Sequence, residues 1–120
     1  MVAEITAPIS LKNVLGYNFA KVKAGTASVI LTSLLSVDEN GKTDLFRALT
    51  DMENRLPSGT RTKKPVFHCS INPHPDDVLT DQQLQNIASE YMERMGYGNQ
   101  PFIVFKHNDI AREHIHIVSL

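Results

Sequence analysis

Residues 101–120 read PFIVFKHNDIAREHIHIVSL and contain two strand-like runs, PFIVFKH and HIHIVSL, which NDIARE separates. A connection of this length suits an antiparallel hairpin, which would place His107 opposite His114. Side chains two residues apart in a strand lie on one face of the sheet, so His114 and His116 project together. Cross-strand neighbours on one face have Cβ atoms roughly 4.5–5.5 Å apart. The sequence therefore predicts that three imidazoles meet on one face of a β-hairpin.

These three histidines are candidate metal ligands. Three neutral imidazoles with no cysteine leave positions free on a bound divalent ion, and open positions allow the ion to polarise a substrate oxygen. A closed structural zinc site is therefore not expected. Imidazole binds many transition metals, so the histidines do not select among manganese, zinc, nickel and magnesium-like ions. The alternative is that some of these histidines merely tolerate a half-exposed strand.

The composition is that of one ordinary globular domain. The chain has 120 residues, 42% of them hydrophobic and 21% charged, and its apolar runs are too short to span a bilayer. A single cysteine, Cys69, provides no disulfide framework, and the N-terminus lacks an export-signal pattern, so a cytoplasmic location without membrane insertion is expected. The net charge of −1 argues against broad electrostatic capture of nucleic acid. Two local basic groups are present: Lys12, Lys21 and Lys23, and Arg61, Lys63 and Lys64.

Periodicity and capping signals predict three helices and four strands, in the order helix, strand, helix, strand, helix, strand, strand. They cover residues 10–24, 27–35, 43–56, 65–72, 80–95 and the two strands of the hairpin. The stripe of the second helix is Leu45, Phe46, Leu49 and Met52. Since each helix has a single apolar stripe, we expect an α+β fold in which an antiparallel sheet has its helices packed on one face. The other face would stay open for the histidines.

The chain stops at Leu120, directly after the histidine-bearing strand, with no helix or turn to cover that strand. Because the sequence ends there, we expect that the chain is a fragment truncated at the C-terminus. Residues 1–120 are therefore interpreted as the N-terminal portion of one domain. The final strand is also expected to be an edge that could pair with another chain.

Tyr17 is the candidate nucleophile. Taking 100° per residue, it lies on the side of its helix away from the apolar stripe, so its ring is expected to be exposed. Lys21 lies one turn further on the same face, where its charge would favour a phenolate or a nearby phosphate. An ordinary surface tyrosine is the alternative. The same criterion assigns Tyr91 to the core, and Tyr97 follows a helix end and is expected to make a loop contact.

Four other polar residues have weaker signals. His68 lies on the polar face of its predicted strand, where a role near the site is one interpretation. His74 lies in a proline-rich turn and is expected to be an ordinary loop residue. Asp109 and Glu113 could orient an imidazole, but solvated loop charges are the simpler interpretation for both.

The segment from His68 to Val118, HCSINPHPDDVLTDQQLQNIASEYMERMGYGNQPFIVFKHNDIAREHIHIV, resembles the core of the relaxases, the mobilisation nucleases of conjugative and mobilisable elements. It is most similar to the type found on Bacteroides-group elements. The sequence His114-Ile115-His116 looks like the signature of the histidine-hydrophobic-histidine endonucleases. The resemblance covers nearly the whole chain and implies a relaxase-like or rolling-circle-initiator-like fold.

The resemblance implies a metal-dependent relaxase that nicks one strand at an origin of transfer for mobilisation of a plasmid or transposon. By this resemblance His107, His114 and His116 hold a divalent metal, with manganese or magnesium favoured over zinc or nickel. Tyr17 would attack the scissile phosphate and stay attached to the 5′ end. The expected partners are single-stranded origin DNA, accessory mobilisation proteins and the coupling protein of a type IV secretion system. The residues expected to contact DNA are Lys21, Arg61, Lys63 and Lys64.

The chain departs from the family pattern in length, because relaxase domains of this kind generally continue beyond the third histidine. Nicking by this chain would then be weak or lost. Two alternatives stay open: an origin-DNA-binding module without cleavage activity, and a rolling-circle replication initiator. In such initiators the nucleophile usually follows the histidines, whereas no tyrosine follows Tyr97 in this sequence. A metalloenzyme that hydrolyses small phosphoesters is a third possibility.

Overall fold

Five strands and three helices make up the fold. A computed structural model describes residues 2–6, 10–54, 66–74, 76–108 and 113–120. The elements are β1 (Val2–Thr6), α1 (Leu11–Lys23), β2 (Ala27–Ser33), α2 (Leu45–Asn54), β3 (Phe67–Asn72), α3 (Asp81–Arg94), β4 (Phe102–His107) and β5 (His114–Ser119). All the predicted elements are present, and β1 is an additional strand that the sequence did not predict. No helix in the described part of the chain is long and apolar enough to cross a membrane.

The strands form one antiparallel sheet in the order β1-β3-β5-β4-β2. The α+β class with an antiparallel sheet is therefore confirmed. The expectation that the last strand lies at an edge is wrong, because β5 is the central strand, with β4 on one side and β3 on the other. The strand that carries two of the three histidines is thus hydrogen-bonded along both of its sides.

Helices cover both faces of the sheet, so the expectation that they pack on one face is wrong. On one face, α3 packs against β3, β4 and β5; the buried residues are Phe67, Cys69, Ile71, Leu84, Ala88, Met92, Phe102, Val104, Ile115 and Ile117. On the other face, α1 and α2 pack against β4 and β5; the buried residues are Leu11, Leu15, Ala48, Met52, Ile103, Phe105 and Val118.

The sequence of β4 contains the physical reason for this two-sided packing. Its first four residues, FIVF at 102–105, are all apolar and all buried. A strand with one solvated face alternates apolar and polar residues, whereas a strand covered on both faces has a continuous apolar run. The histidines therefore share their face of the sheet with α1 instead of lying on an open face.

Local capping fixes the ends of the two helices that flank the histidine strands. The backbone N–H of Asn13 donates to the Ser10 hydroxyl at 3.0 Å, which caps α1. At the start of α3, Thr80 and Gln83 form the predicted capping box, with bonds of 2.8 and 3.1 Å. Gly25 and Gly96 follow α1 and α3 with φ of 84° and 85°, a conformation that favours glycine.

Phe46 was predicted in the apolar stripe of α2, and that assignment is wrong because its side chain is 77% exposed. The stripe that packs on the sheet contains Leu45, Ala48, Leu49 and Met52. These positions are spaced by three or four residues, so they share one side of the helix, and residue 46 is turned about 100° away from residue 45.

The contrast between Leu15 and Phe46 gives a test of this packing. Leu15 is fully buried between α1 and the sheet. Leu15→Ala should lower the free energy of unfolding by about 2–5 kcal/mol, because it removes buried methyl groups and leaves a cavity. Phe46→Ala should change it by less than about 0.5 kcal/mol. Urea denaturation measures both, and equal losses in the two variants would contradict the assignment of faces.

Candidate metal centre

The imidazoles of His107, His114 and His116 lie together on one face of the sheet, as predicted. His107 pairs with His114 across β4 and β5, and His116 lies opposite Phe105, the neighbour of His107 on that face. The ring centroids of His107 are 5.2 Å from His114 and 4.1 Å from His116, and those of His114 and His116 are 5.1 Å apart. One potential ligand atom from each ring lies within 4.8 Å of the others.

This donor set fits a divalent transition metal. The three groups are imidazole nitrogens, which bind many transition metals and leave further positions for oxygen ligands. His107 is 1% exposed, whereas His114 and His116 are half-buried, so the cluster is closed at His107 and accessible at the other two rings.

Asn18 of α1 forms a buried hydrogen bond with His107. Its side chain is fully buried, and its Nδ2 donates to the carbonyl oxygen of Val14 at 2.8 Å. Its Oδ1 is then the acceptor for His107 Nε2 at 2.6 Å. A proton on Nε2 leaves Nδ1 as the His107 nitrogen with the lone pair, so this bond selects the atom that can bind an ion.

Sequence reasoning did not single out Asn18, although a signal was present. The buried residues Leu11 and Leu15 define the inner side of α1, and position 18 continues that series one turn later. A polar residue within an apolar helical stripe needs a buried partner, because an unpaired buried amide is costly.

His68 of β3 lies beside the cluster, so the interpretation that placed it near the site is supported by the geometry. Its Nε2 lies 2.9 Å from Nδ1 of His116, and its Nδ1 lies 2.5 Å from the Thr6 hydroxyl. Burial lowers the pKa of His68 because removal from water disfavours the charged imidazolium. A neutral ring has one donor and one acceptor, which matches these two bonds.

Tyr17 lies on α1, next to the residue that holds His107. Its side chain is 58% exposed, as predicted, and its ring centroid is 6.5 Å from that of His107. The ammonium nitrogen of Lys21 lies 5.3 Å from the centroid of the tyrosine ring, which is within the range of a cation–π contact. The structure therefore brings an exposed phenol and an ammonium group to the side of the histidine cluster.

A cleft of about 270 Å³ opens between α1 and the β1–β3 side of the sheet. Among the residues that line it are Thr6, Asn13, Tyr17, His68 and His116. The phenol and one of the candidate metal ligands thus face the same space, which is open to a substrate.

The remaining polar candidates lie away from the cluster. His74 is exposed, and its Nδ1 lies 3.6 Å from the carboxylate of Asp76. Glu113 lies 3.5 Å from the ammonium of Lys106, on the α3 side of the sheet. Asp109 and the predicted DNA contacts Arg61, Lys63 and Lys64 lie outside the residues that the structure describes.

The other two tyrosines and the cysteine belong to the opposite face. Tyr91 and Tyr97 both pack against the α3 core cluster, and the Tyr97 ring lies 4.5 Å from that of Phe67. Burial raises the pKa of the Cys69 thiol, so it stays protonated and unreactive. These residues take no part in the candidate centre.

A known protein family matches most of the chain. The family described as Relaxase: MobA/VirD2-like, nuclease domain matches residues 17–119, a range that begins at Tyr17 and includes all three histidines. Searches of curated proteins and of solved structures gave no match. The family resemblance drawn from the sequence is confirmed, while the Bacteroides-group type stays a prediction. The chain belongs to the relaxase family of DNA-nicking nucleases and contains its MobA/VirD2-like nuclease domain.

Proposed function

We propose that this domain is a metal-dependent relaxase that nicks one DNA strand at an origin of transfer through a tyrosine nucleophile. The observation that carries the proposal is the juxtaposition of the three-imidazole cluster and Tyr17, whose ring centroid is 6.5 Å from that of His107. Phosphodiester transfer needs a nucleophile and a group that neutralises charge on the phosphate, and the Tyr17 phenol lies beside the imidazoles that would hold such a group.

His107, His114 and His116 would hold the divalent ion, with manganese or magnesium favoured and zinc or nickel as alternatives. When bound, the ion would supply charge neutralisation at the non-bridging phosphate oxygens. Asn18 keeps the His107 ring in the tautomer that leaves Nδ1 with its lone pair.

Tyr17 would perform the covalent step. Its phenolic oxygen forms a bond to the scissile phosphorus while the bond from phosphorus to the 3′ oxygen breaks. The 5′ end is then held as a phosphotyrosine, and the leaving 3′ oxygen takes up a proton. The phenol proton passes to a base. Because the new phosphodiester retains the energy of the old one, the free 3′ hydroxyl can attack it and rejoin the strand.

Single-stranded DNA would reach the site through the cleft beside α1. The three-imidazole face is partly covered by α1, and among the described residues a route to it runs where Tyr17, His68 and His116 line the cleft. Lys21 is placed to attract the phosphate that Tyr17 attacks. We propose Arg61, Lys63 and Lys64 as further phosphate contacts, because the net charge of −1 requires local basic groups.

We propose that residues 1–120 all belong to one relaxase domain, since β1 precedes the range of the family match and pairs with β3 in the same sheet. Its role would be conjugative mobilisation of a plasmid or transposon. It would act in the cytoplasm, where the origin DNA is, together with accessory mobilisation proteins and the coupling protein of a type IV secretion system.

Metal binding can be tested with the protein alone. Titration with Mn²⁺, followed by the electron paramagnetic resonance signal of the free ion, should show one site per chain. His114→Ala should weaken binding by more than the roughly 10–100-fold that loss of an outer hydrogen-bond partner costs. His74→Ala should bind like the unmodified protein, because that imidazole is exposed in a loop. Equal affinity in the two variants would refute the assignment of the site.

The nucleophile is tested with a labelled single-stranded origin oligonucleotide and Mn²⁺. Tyr17→Phe should abolish the covalent adduct on a denaturing gel and leave Mn²⁺ affinity unchanged, because only the attacking oxygen is removed. Tyr97→Phe, which alters a ring on the opposite face, should leave adduct formation unchanged.

An adduct formed by the Tyr17→Phe variant would show that Tyr17 is misassigned. A salt-sensitive gel shift by the unmodified protein without any adduct would instead indicate a DNA-binding module that does not cleave.

A further inference from the structure

His68 forms part of a row of hydrogen bonds that ends at a candidate metal ligand. Thr6 of β1 lies directly opposite His68 of β3, and His116 of β5 lies opposite Ser70, two residues further along β3. Alternation places all three side chains on the same face of the sheet. The resulting contacts run from the Thr6 hydroxyl to His68 Nδ1, and from His68 Nε2 to His116 Nδ1 at 2.9 Å.

His68 lies next to one of the three candidate ligands but outside their cluster. Among the described residues, the group whose ligand atoms lie within 4.8 Å of one another contains His107, His114 and His116 and does not include His68. The ring centroid of His68 is 5.1 Å from that of His116, with the planes 25° apart. His68 thus contacts one ligand ring from the side of the β1 edge.

We propose that His68 is a positioning residue, which holds the His116 ring in the tautomer that presents Nε2 to the cation. This inference rests on the proposed metal-dependent function and deepens it by assigning a role to a residue outside the three ligands.

The proton positions along the row are mutually consistent. A nitrogen that binds a metal must have its lone pair, so in neutral His116 the proton is on Nδ1 and donates to Nε2 of His68. His68 then carries its own proton on Nδ1 and donates it to the Thr6 hydroxyl. The reverse arrangement, with His68 as donor at Nε2, would put the His116 proton on Nε2 and block metal binding there.

The row of hydrogen bonds begins in β1, so this strand contributes to the proposed positioning of His116. Thr6 is at the end of this edge strand, and in the arrangement proposed above its hydroxyl accepts the proton of His68 Nδ1. Removal of the hydroxyl should therefore weaken metal binding from a distance of two hydrogen bonds, without change to any imidazole.

Two substitutions at His68 separate hydrogen bonding from packing. His68→Leu fills a similar volume and removes the acceptor, so Mn²⁺ affinity should fall about 10–100-fold. His68→Gln keeps a carbonyl oxygen near the position of Nε2, and its affinity for Mn²⁺ should lie within a fewfold of the unmodified protein.

Thr6→Val and Thr6→Ser form a second pair, in which only the valine variant should bind Mn²⁺ more weakly. His74→Leu is the matched control and should leave the affinity unchanged.

The tautomers can be observed without any metal. Long-range ¹H–¹⁵N correlation spectra at about pH 8, where imidazoles are neutral, distinguish protonated from unprotonated ring nitrogens. His68 and His116 should both carry the proton on Nδ1, and in His68→Leu the His116 proton should redistribute toward Nε2. A His116 ring protonated at Nε2 in the unmodified apo protein would overturn the inference.

The two proposals fail in different ways. If the unmodified protein binds no Mn²⁺, the proposed metal-dependent function is wrong, whatever the tautomers are. If it binds Mn²⁺ and His68→Leu binds equally well, the metal function stands and the role of His68 is refuted. If His68→Leu does not fold, the Thr6→Val and Thr6→Ser pair decides, and equal affinities there would also refute it.

Discussion

The antiparallel pairing of β4 and β5 is the constraint on which the candidate centre depends. It sets His107 opposite His114 and Phe105 opposite His116, so that strand alternation places the three imidazoles on one face. A slip by one residue would exchange the two faces of β5 and turn its histidines into the core under α3. Burial of Ile115 and Ile117 against α3 therefore fixes the register. The geometry of the polar site is a consequence of hydrophobic packing on the opposite side of the sheet.

The second constraint is the rotation of α1 about its own axis. Leu11 and Leu15 are buried against the sheet, and one turn later the buried amide of Asn18 bonds His107. An unpaired buried amide would cost about 1–3 kcal/mol, so the helix is held in the rotation that makes this bond. Tyr17 is the preceding residue and is turned about 100° from Asn18, toward the solvent-accessible side of the cluster. The same helix thus contributes to the core, supports a candidate ligand and presents the candidate nucleophile.

Much of this arrangement could be predicted from the sequence because the signals are local. The capping box of Thr80 and Gln83 is confirmed, and the three histidines lie together as their spacing predicts, while their role as metal ligands stays a prediction. The strand β1 was missed because its partner β3 lies more than sixty residues further along the chain. The position of β5 in the sheet was wrong for a similar reason, since sheet order depends on contacts that no short pattern records. The bonds of Asn18 and His68 required the tertiary structure.

The prediction that the helices pack on one face of the sheet was wrong, although the sequence of β4 contains a signal against it. FIVF at 102–105 is continuous rather than alternating, and a strand of that type is covered on both faces. This correction bears on the site, because a helix lies on the histidine face and, among the described residues, a cleft lined by Tyr17, His68 and His116 opens beside that helix. It also explains how a residue of α1 comes to contact an imidazole of β4.

The most direct measurement of the central claim is the anomalous difference density of Mn²⁺ in crystals of the chain. A single ion bonded to one nitrogen each of His107, His114 and His116, on the side of the sheet where Tyr17 lies, is the predicted result. Density for Mn²⁺ elsewhere, or none at these imidazoles when the ion is present in excess, would contradict it.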